Sequence, residues 1–287
     1  MQSMACIDRV KLTVLAEDSL SDPDLTAKHG FSCLVETTSA GSSSRILMDA
    51  GPPPNIAPNN ADLMKVDLLS LNAIVISHGH YDHMGGLPEI LKRIRKPTPI
   101  IVHPLAFAPK FSLTPNLKFI GADFDQRTVK ELQGVLLLAR NSVQVATGVI
   151  TSGEISRETG FEQIEGFWTV ENQHFIQDPI IDDQALLVNL REKGLVILSG
   201  CGHSGIINTV RHAQKITGLE KIHATIGGCH LANANQERLQ ATVNELLKIQ
   251  PNRLYPCHCT GPKAINKFLE AFGERCKATH TGDIIEF

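Results

Sequence analysis

Residues 73–87 read AIVISHGHYDHMGGL. Ala73 to Ile76 form a short apolar run of the kind that becomes a buried strand, and His78, His80, Asp82 and His83 then arrive within six positions. His78 and His80 sit two apart, so in a near-extended loop both imidazoles face the same side and can grip one metal ion. Asp82 and His83 come after the chain turns and can grip a second ion a few ångströms away. Imidazole and carboxylate suit zinc, manganese or iron. Gly79, Gly85 and Gly86 let the backbone come close to the ions. By composition alone this pattern arises in roughly one sequence in several thousand of this length, so an ordinary polar surface loop does not account for it.

The chain has 287 residues, enough to bury a substantial core as one large domain or two small ones. Hydrophobic residues make up 42% and charged residues 20%, the balance of a soluble globular protein. The net charge is −3 and no Lys/Arg run exceeds a few residues, so a nucleic-acid partner has no electrostatic support. Residues 1–18 lack a basic-then-apolar signal pattern, and no stretch approaches a membrane span. The seven cysteines are odd in number and form no disulfide framework, which fits a reduced, cytoplasmic setting.

Residues 9–15 alternate apolar and polar and predict a strand; 16–30 predict a loop; 31–37 and 45–51 predict two further strands joined by a turn at 40–43, the antiparallel start of a sheet. Residues 52–60 (PPPNIAPNN) predict a loop, 61–71 a short helix, 86–95 an amphipathic helix and 99–103 a buried strand, with His103 as a packed or capping residue. Residues 104–180 carry no sustained period, apart from candidate strands at 134–140 and 143–150 and a turn at 151–155. Phe107, Lys110, Phe111 and Trp168 can line a pocket there or simply fill a core.

Regularity returns after 180. Strands are predicted at 185–190, 194–200, 221–228 and 253–261, helices at 205–217, 236–249 and 262–273, and a final strand or hairpin at 277–287. Three strand ends each carry histidine beside cysteine: Cys201-Gly202-His203, Cys229-His230 and Cys257-His258-Cys259. Each follows an apolar run and precedes a helical pattern, so all three can emerge at one edge of one sheet. On a strand, Cys257 and Cys259 point away from the face that His258 uses, so they and Cys229 read as inert.

The HxHxDH stretch resembles the metallo-β-lactamase superfamily. Together HGFSCLVET (29–37), ILMDAG (46–51), SHGHYDHMGGL (77–87), SGCGHSGIINTV (199–210), IGGCHL (226–231) and PCHCTG (256–261) are similar to its subgroup named for 7,8-dihydropterin-6-methyl-4-(β-D-ribofuranosyl)aminobenzene-5′-phosphate synthase. One departure is Cys229, where the subgroup has Phe. The resemblance implies an α+β fold, the αββα four-layer sandwich, as a single domain over 1–287 with 104–180 covering the active site. It implies that Asp49 braces the metal loop, although an ordinary strand-end carboxylate reads the same way. It implies His258 as a ligand of the second metal. In many superfamily members an Asp stands near the position of Cys201 and bridges the ions; here Cys201 is either a bridging thiolate or a small buried residue. The third ligand of the first metal is His203 or, one strand earlier, Asp183. His230 would donate a proton to the leaving group or grip the substrate.

These readings lead to a dinuclear hydrolase of a small anionic or phosphorylated molecule, with two divalent ions, zinc before manganese or iron, supplying a bridging hydroxide that Asp82 orients. The family name allows C–N bond formation in a pterin pathway or iron-dependent redox chemistry, and a non-catalytic metal-containing binding protein is a third reading. A small-molecule partner is expected, with no membrane contact; the oligomeric state is open.

Overall fold

The computed structural model describes residues 4–287. Two mixed sheets pack face to face. In the first, seven strands run in the order Ile284–Glu286, Arg9–Ala16, Ser32–Ser39, Ser42–Met48, Ala73–Val75, Thr98–Val102, Gly134–Leu138. Its first three pairings are antiparallel and its last three parallel. In the second, six strands run in the order Arg253–Pro256, Ile222–Gly227, Gly194–Ser199, Ala185–Leu190, Val149–Thr151, Gln144–Ala146, with the first two pairings parallel and the others antiparallel.

Alternate side chains of each strand go to opposite faces, and here both faces are buried. Leu12, Val14, Val35, Ile46 and Met48 meet Leu186, Val188, Val196, Leu198 and Ile226 between the sheets. On the outer face of the first sheet, Leu34, Leu47, Ile74 and Ile76 pack under the helix Leu87–Ile94 through its Leu87, Ile90, Leu91 and Ile94. On the outer face of the second, Leu187, Leu195 and Ile197 pack under the helices Ile206–Thr217, Gln236–Ile249 and Pro262–Phe272. The result is the expected αββα order. It explains why stretches such as AIVI and ALLVNL are continuously apolar: neither side of the strand meets water.

Several boundaries differ from the sequence reading. A helix occupies Ile56–Leu63, beginning within the stretch 52–60 expected to be loop and ending just inside the expected 61–71 helix, whose later half holds only a 3₁₀ turn at Leu68–Ser70. Pro58 sits in the first turn of Ile56–Leu63, where an amide hydrogen has no intrahelical partner to lose. The strand expected over 143–150 is two strands, Gln144–Ala146 and Val149–Thr151, hinged at Gly148 with φ +67°. At the C-terminus only Ile284–Glu286 is strand. The unreadable region builds a third, four-stranded sheet in the order His174–Gln177, Phe167–Glu171, Lys110–Ser112, Lys118–Phe119. Its strands are two to five residues long, too short to show a period.

Leu12 is fully buried at the centre of the inter-sheet core. Leu12→Ala is expected to cost about 2–5 kcal/mol of unfolding free energy, read as a lowered urea midpoint, whereas Leu247→Ala, 40% exposed on its helix, is expected to stay within about 0.5 kcal/mol of wild type.

Candidate metal centre

The strand Ala73–Val75 delivers the ligand loop, and Asp49, at the end of the neighbouring strand, fixes it. Ser77 donates its backbone N–H to Asp49 Oδ1 at 2.6 Å and its hydroxyl to Asp49 Oδ2 at 2.7 Å. His83 Nδ1 donates to the same Oδ2 at 2.7 Å. A carboxylate only accepts, so Nδ1 carries the hydrogen and His83 Nε2 faces inward. It lies 3.1 Å from Cys201 Sγ and 3.2 Å from His258 Nε2. Between His78 and His80 the chain passes so close to the Ala106 carbonyl that a Cβ on Gly79 would lie 2.0 Å from its oxygen, so only glycine fits. His80 then starts the short helix Tyr81–Met84, which carries Asp82 and His83.

Two donor sets result. His78, His80 and His203 offer ligand atoms within 4.8 Å of one another, and Asp82, His83, Cys201 and His258 do the same. The sets adjoin: the His78 and His83 rings are 4.3 Å apart between centroids. Burial, then the neighbouring imidazoles, pushes His78 and His203 well below the usual histidine value, and burial takes His80 down to about 3. Burial opposes the charge on Asp82, but His83, His29 and His258 outweigh it and hold the carboxyl well below its usual range. Three neutral imidazoles therefore stand beside a carboxylate. His80 Nε2 and both ring nitrogens of His203 are buried with no hydrogen-bond partner. Buried polar atoms are rarely left so, and inward-facing neutral imidazoles are the donor set that a divalent transition-metal ion takes. The residues fit such an ion.

A model of the metallo-beta-lactamase superfamily matches residues 26–171. The chain is also 36% identical over 296 aligned residues to the 7,8-dihydropterin-6-methyl-4-(beta-D-ribofuranosyl)-aminobenzene-5'-phosphate synthase of Methanocaldococcus jannaschii, with 100% of both chains covered. The chain belongs to the metallo-beta-lactamase superfamily. An uncharacterized protein of the same organism is 32% identical over 244 residues, 85% of this chain and 88% of its own. Among solved structures, Tm1679, a metal-dependent hydrolase of the beta-lactamase superfamily, superposes with TM-score 0.82 at 25% identity, covering 97% of this chain and 99% of that one.

Within this superfamily fold the three cysteine–histidine strand ends meet at one edge. Of the two rivals for the third ligand, His203 stands in the histidine set. Asp183 stands beside it: its Oδ2 accepts the Ser204 N–H at 2.7 Å, and burial raises its carboxyl to about 6. It holds the turn that carries His203. His230 lines the cleft, its ring 4.3 Å from that of His203. Cys257 lies in the inter-sheet core and Cys229 against the outer helices. Cys259 departs from expectation. Residues His258–Thr260 are a 3₁₀ turn, with His258 at φ +51°, so strand alternation does not apply. Cys259 Sγ swings to 3.2 Å from the Cys201 carbonyl and joins Cys201 and His230 in a third set of mutually close donor atoms.

Sequence reasoning missed the loop after the first strand. His258 Nδ1 donates to Asp18 at 2.7 Å, His258 N–H to buried Glu17 at 2.6 Å, and His29 bridges Asp18 at 2.8 Å and Asp82 at 3.2 Å. The available signal was an acidic pair ending an apolar strand at the edge where Asp49 also ends one. A cleft of about 620 Å³ opens over the ligands, lined among others by Tyr81, Ser112, Lys118, Phe167 and Asn233. Phe107, Lys110, Phe111 and Trp168 do not line it. Lys110 is buried between Asp178 (3.0 Å) and Asp182 (2.8 Å), and the other Asp182 oxygen takes the Gly79 N–H at 2.8 Å.

His203→Ala is expected to lower bound metal by about one ion per chain, measured by elemental analysis after dialysis. Asp183→Asn keeps an acceptor for Ser204 and is expected to leave metal content unchanged; the reverse result would return the ligand role to Asp183.

Proposed function

We propose that the protein is a dinuclear metal-dependent hydrolase of a small anionic molecule, a phosphorylated one above all, and that residues 104–180 serve as the cover over the site of a single domain. The observation that supports this is the adjacency of the two donor sets under one open cleft. In this reading His78, His80 and His203 hold one ion, Asp82, His83 and His258 hold the other, and Cys201 stands between them. Zinc fits the imidazole, carboxylate and thiolate donors best, ahead of manganese or iron. Bound there, two such ions supply Lewis acidity toward a carbonyl or phosphoryl oxygen and a lowered pKa for water.

The chain's own residues do the rest. Asp49 and Asp18 hold His83 and His258 in the tautomers that leave Nε2 free for a metal. Asp82 keeps a negative charge at the floor of the cleft, where it orients an attacking water. His230, on the cleft wall, passes a proton to the leaving group. Lys118 reaches the cleft from the small sheet, with Nζ 5.4 Å from the Tyr81 ring centroid, and attracts an anionic substrate. Phe167, 5.3 Å from the His80 ring, shields that side of the site from water.

A second reading is favoured by the full-length similarity to the synthase of Methanocaldococcus jannaschii: an amine nitrogen in place of water attacks the substrate carbon that bears the phosphate, so that the C–N bond forms as the C–O bond breaks and phosphate leaves. Thiol in the donor set leaves room for iron and redox chemistry.

The deciding experiment screens phosphomonoesters, phosphodiesters, lactones and carboxylic esters with protein loaded with zinc, manganese or iron(II), with product analysis in the presence and absence of an arylamine. Hydrolysis that vanishes together with metal in His80→Ala and His83→Ala is expected. A C–N product would transfer the conclusion to the second reading, and undiminished turnover by a metal-free variant would remove both. Lys118→Ala is expected to raise KM for phosphorylated substrates up to about fivefold, the scale of an exposed charge contact, with kcat little changed.

A further inference from the structure

The third donor set is absorbed by neither the metal pair nor the proposed hydrolysis. Cys201, Cys259 and His230 offer two sulfurs and one nitrogen within 4.8 Å of one another. All three line the cleft, and both cysteines are otherwise buried. A tetrahedral zinc ion with Zn–S of about 2.3 Å and Zn–N of about 2.0 Å places its donors roughly 3.5–3.8 Å apart. The set therefore needs to contract by about 1.3 Å at most.

Three local features hold these donors together. Leu231 N–H and Ala232 N–H both donate to the Cys259 carbonyl at 3.1 Å, tying the His230 segment to the Cys259 turn. Gly228 keeps the space between the sulfur-bearing segments clear: a Cβ there would lie 2.6 Å from Cys259 Sγ and 3.0 Å from Cys201 Cα. His230 itself is held at φ +48°, a left-handed conformation that a residue with a Cβ seldom adopts, and its Nδ1 is buried with no hydrogen-bond partner. A strained histidine with an orphaned nitrogen beside two thiols has the composition of a site with three protein ligands, Cys₂His, and an open fourth position. The open side faces the cleft.

We propose that Cys201, Cys259 and His230 form a third metal position, which takes a thiophilic divalent ion such as zinc once the pair is filled. It shares Cys201 with the pair and depends on the proposed function only for the two-ion baseline. Uptake exchanges one thiol proton for the ion: the Cys259 hydrogen, now directed at the Cys201 carbonyl, is released to solvent, Cys201 having given up its own when the pair fills. Occupation takes His230 out of proton delivery and fills the cleft floor, so excess zinc inhibits.

The test is equilibrium dialysis of the full chain against graded zinc, with elemental analysis, and a parallel titration with cobalt(II) followed by sulfur-to-metal charge-transfer absorption. Wild type is expected to take a third, weaker equivalent with a further rise in that absorption, while Cys259→Ser stops at two. In the wild type, excess zinc is expected to protect Cys259 from iodoacetamide, read by peptide mass spectrometry, which needs no variant to fold. Saturation of the wild type at two ions, a third equivalent undiminished in Cys259→Ser, or Cys259 alkylated equally fast with and without zinc would each overturn the proposal. The two readings fail separately: loss of the first two equivalents, with a Cys259-dependent rise retained, would overturn the pair and support this position.

Discussion

The site depends on the Asp49 carboxylate. It is fully buried and takes three hydrogen bonds, from Ser77 N–H, Ser77 Oγ and His83 Nδ1, all between 2.6 and 2.7 Å. A buried carboxylate is costly unless its lone pairs are met, and the donors that meet it are the two ends of the ligand loop. Satisfying the charge and shaping the loop are therefore one event. Residue 200 must be small for the same reason, since a Cβ there would lie 2.2 Å from Ser77 Oγ and 2.6 Å from Asp49 Oδ2. That glycine lets the second sheet bring Cys201 up to a loop built by the first.

The same logic repeats at His258. Asp18 takes its Nδ1 hydrogen and Glu17 its backbone N–H. Each of the two imidazoles facing Cys201 is thus turned by a carboxylate behind it. Such orientation fixes which nitrogen meets a metal and raises its basicity. The first set works differently. His78 bonds Ser77 Oγ at 2.9 Å and no carboxylate, and His203 has no hydrogen-bond partner for either ring nitrogen. The imidazoles facing Cys201 are oriented by carboxylates, whereas in the first set the carboxylates Asp182 and Asp183 hold the backbone beside the histidines and not their rings.

What was legible in the sequence follows from where each ligand sits. His78, His80, Asp82, His83, Cys201, His203 and His258 follow the ends of apolar strands, so local pattern placed these candidates at one sheet edge, while the four-layer fold was legible through the family resemblance that the same motifs carry. Glu17, Asp18 and His29 were not legible, because a loop has no period and their partners in the donor sets, Asp82 and His258, are some 50 to 240 residues away. Cys259 was misread because alternation holds only for extended backbone, and His258 leaves it by entering the left-handed region. The helix Ile56–Leu63 was masked by Pro58, a breaker only beyond the first turn. The small sheet beside the cleft was hidden by the shortness of its strands.

That small sheet is not a loose addition. Lys110, on its strand Lys110–Ser112, is 1% exposed and ends between Asp178 and Asp182, and Asp182 in turn takes the Gly79 N–H between His78 and His80. Removing the lysine would leave two buried carboxylates without their cation, a loss of about 3–5 kcal/mol by the usual cost of breaking a buried pair. The small sheet and the loop carrying His78 and His80 are therefore held in fixed register through one buried ion triad. Two residues along the same stretch of chain, Ser112 faces the cleft, with Thr114 and Lys118 beyond it. The anchor and the cleft-facing residues share one hairpin, so the latter can vary in chemistry while the former keeps the cleft walls aligned with the two donor sets.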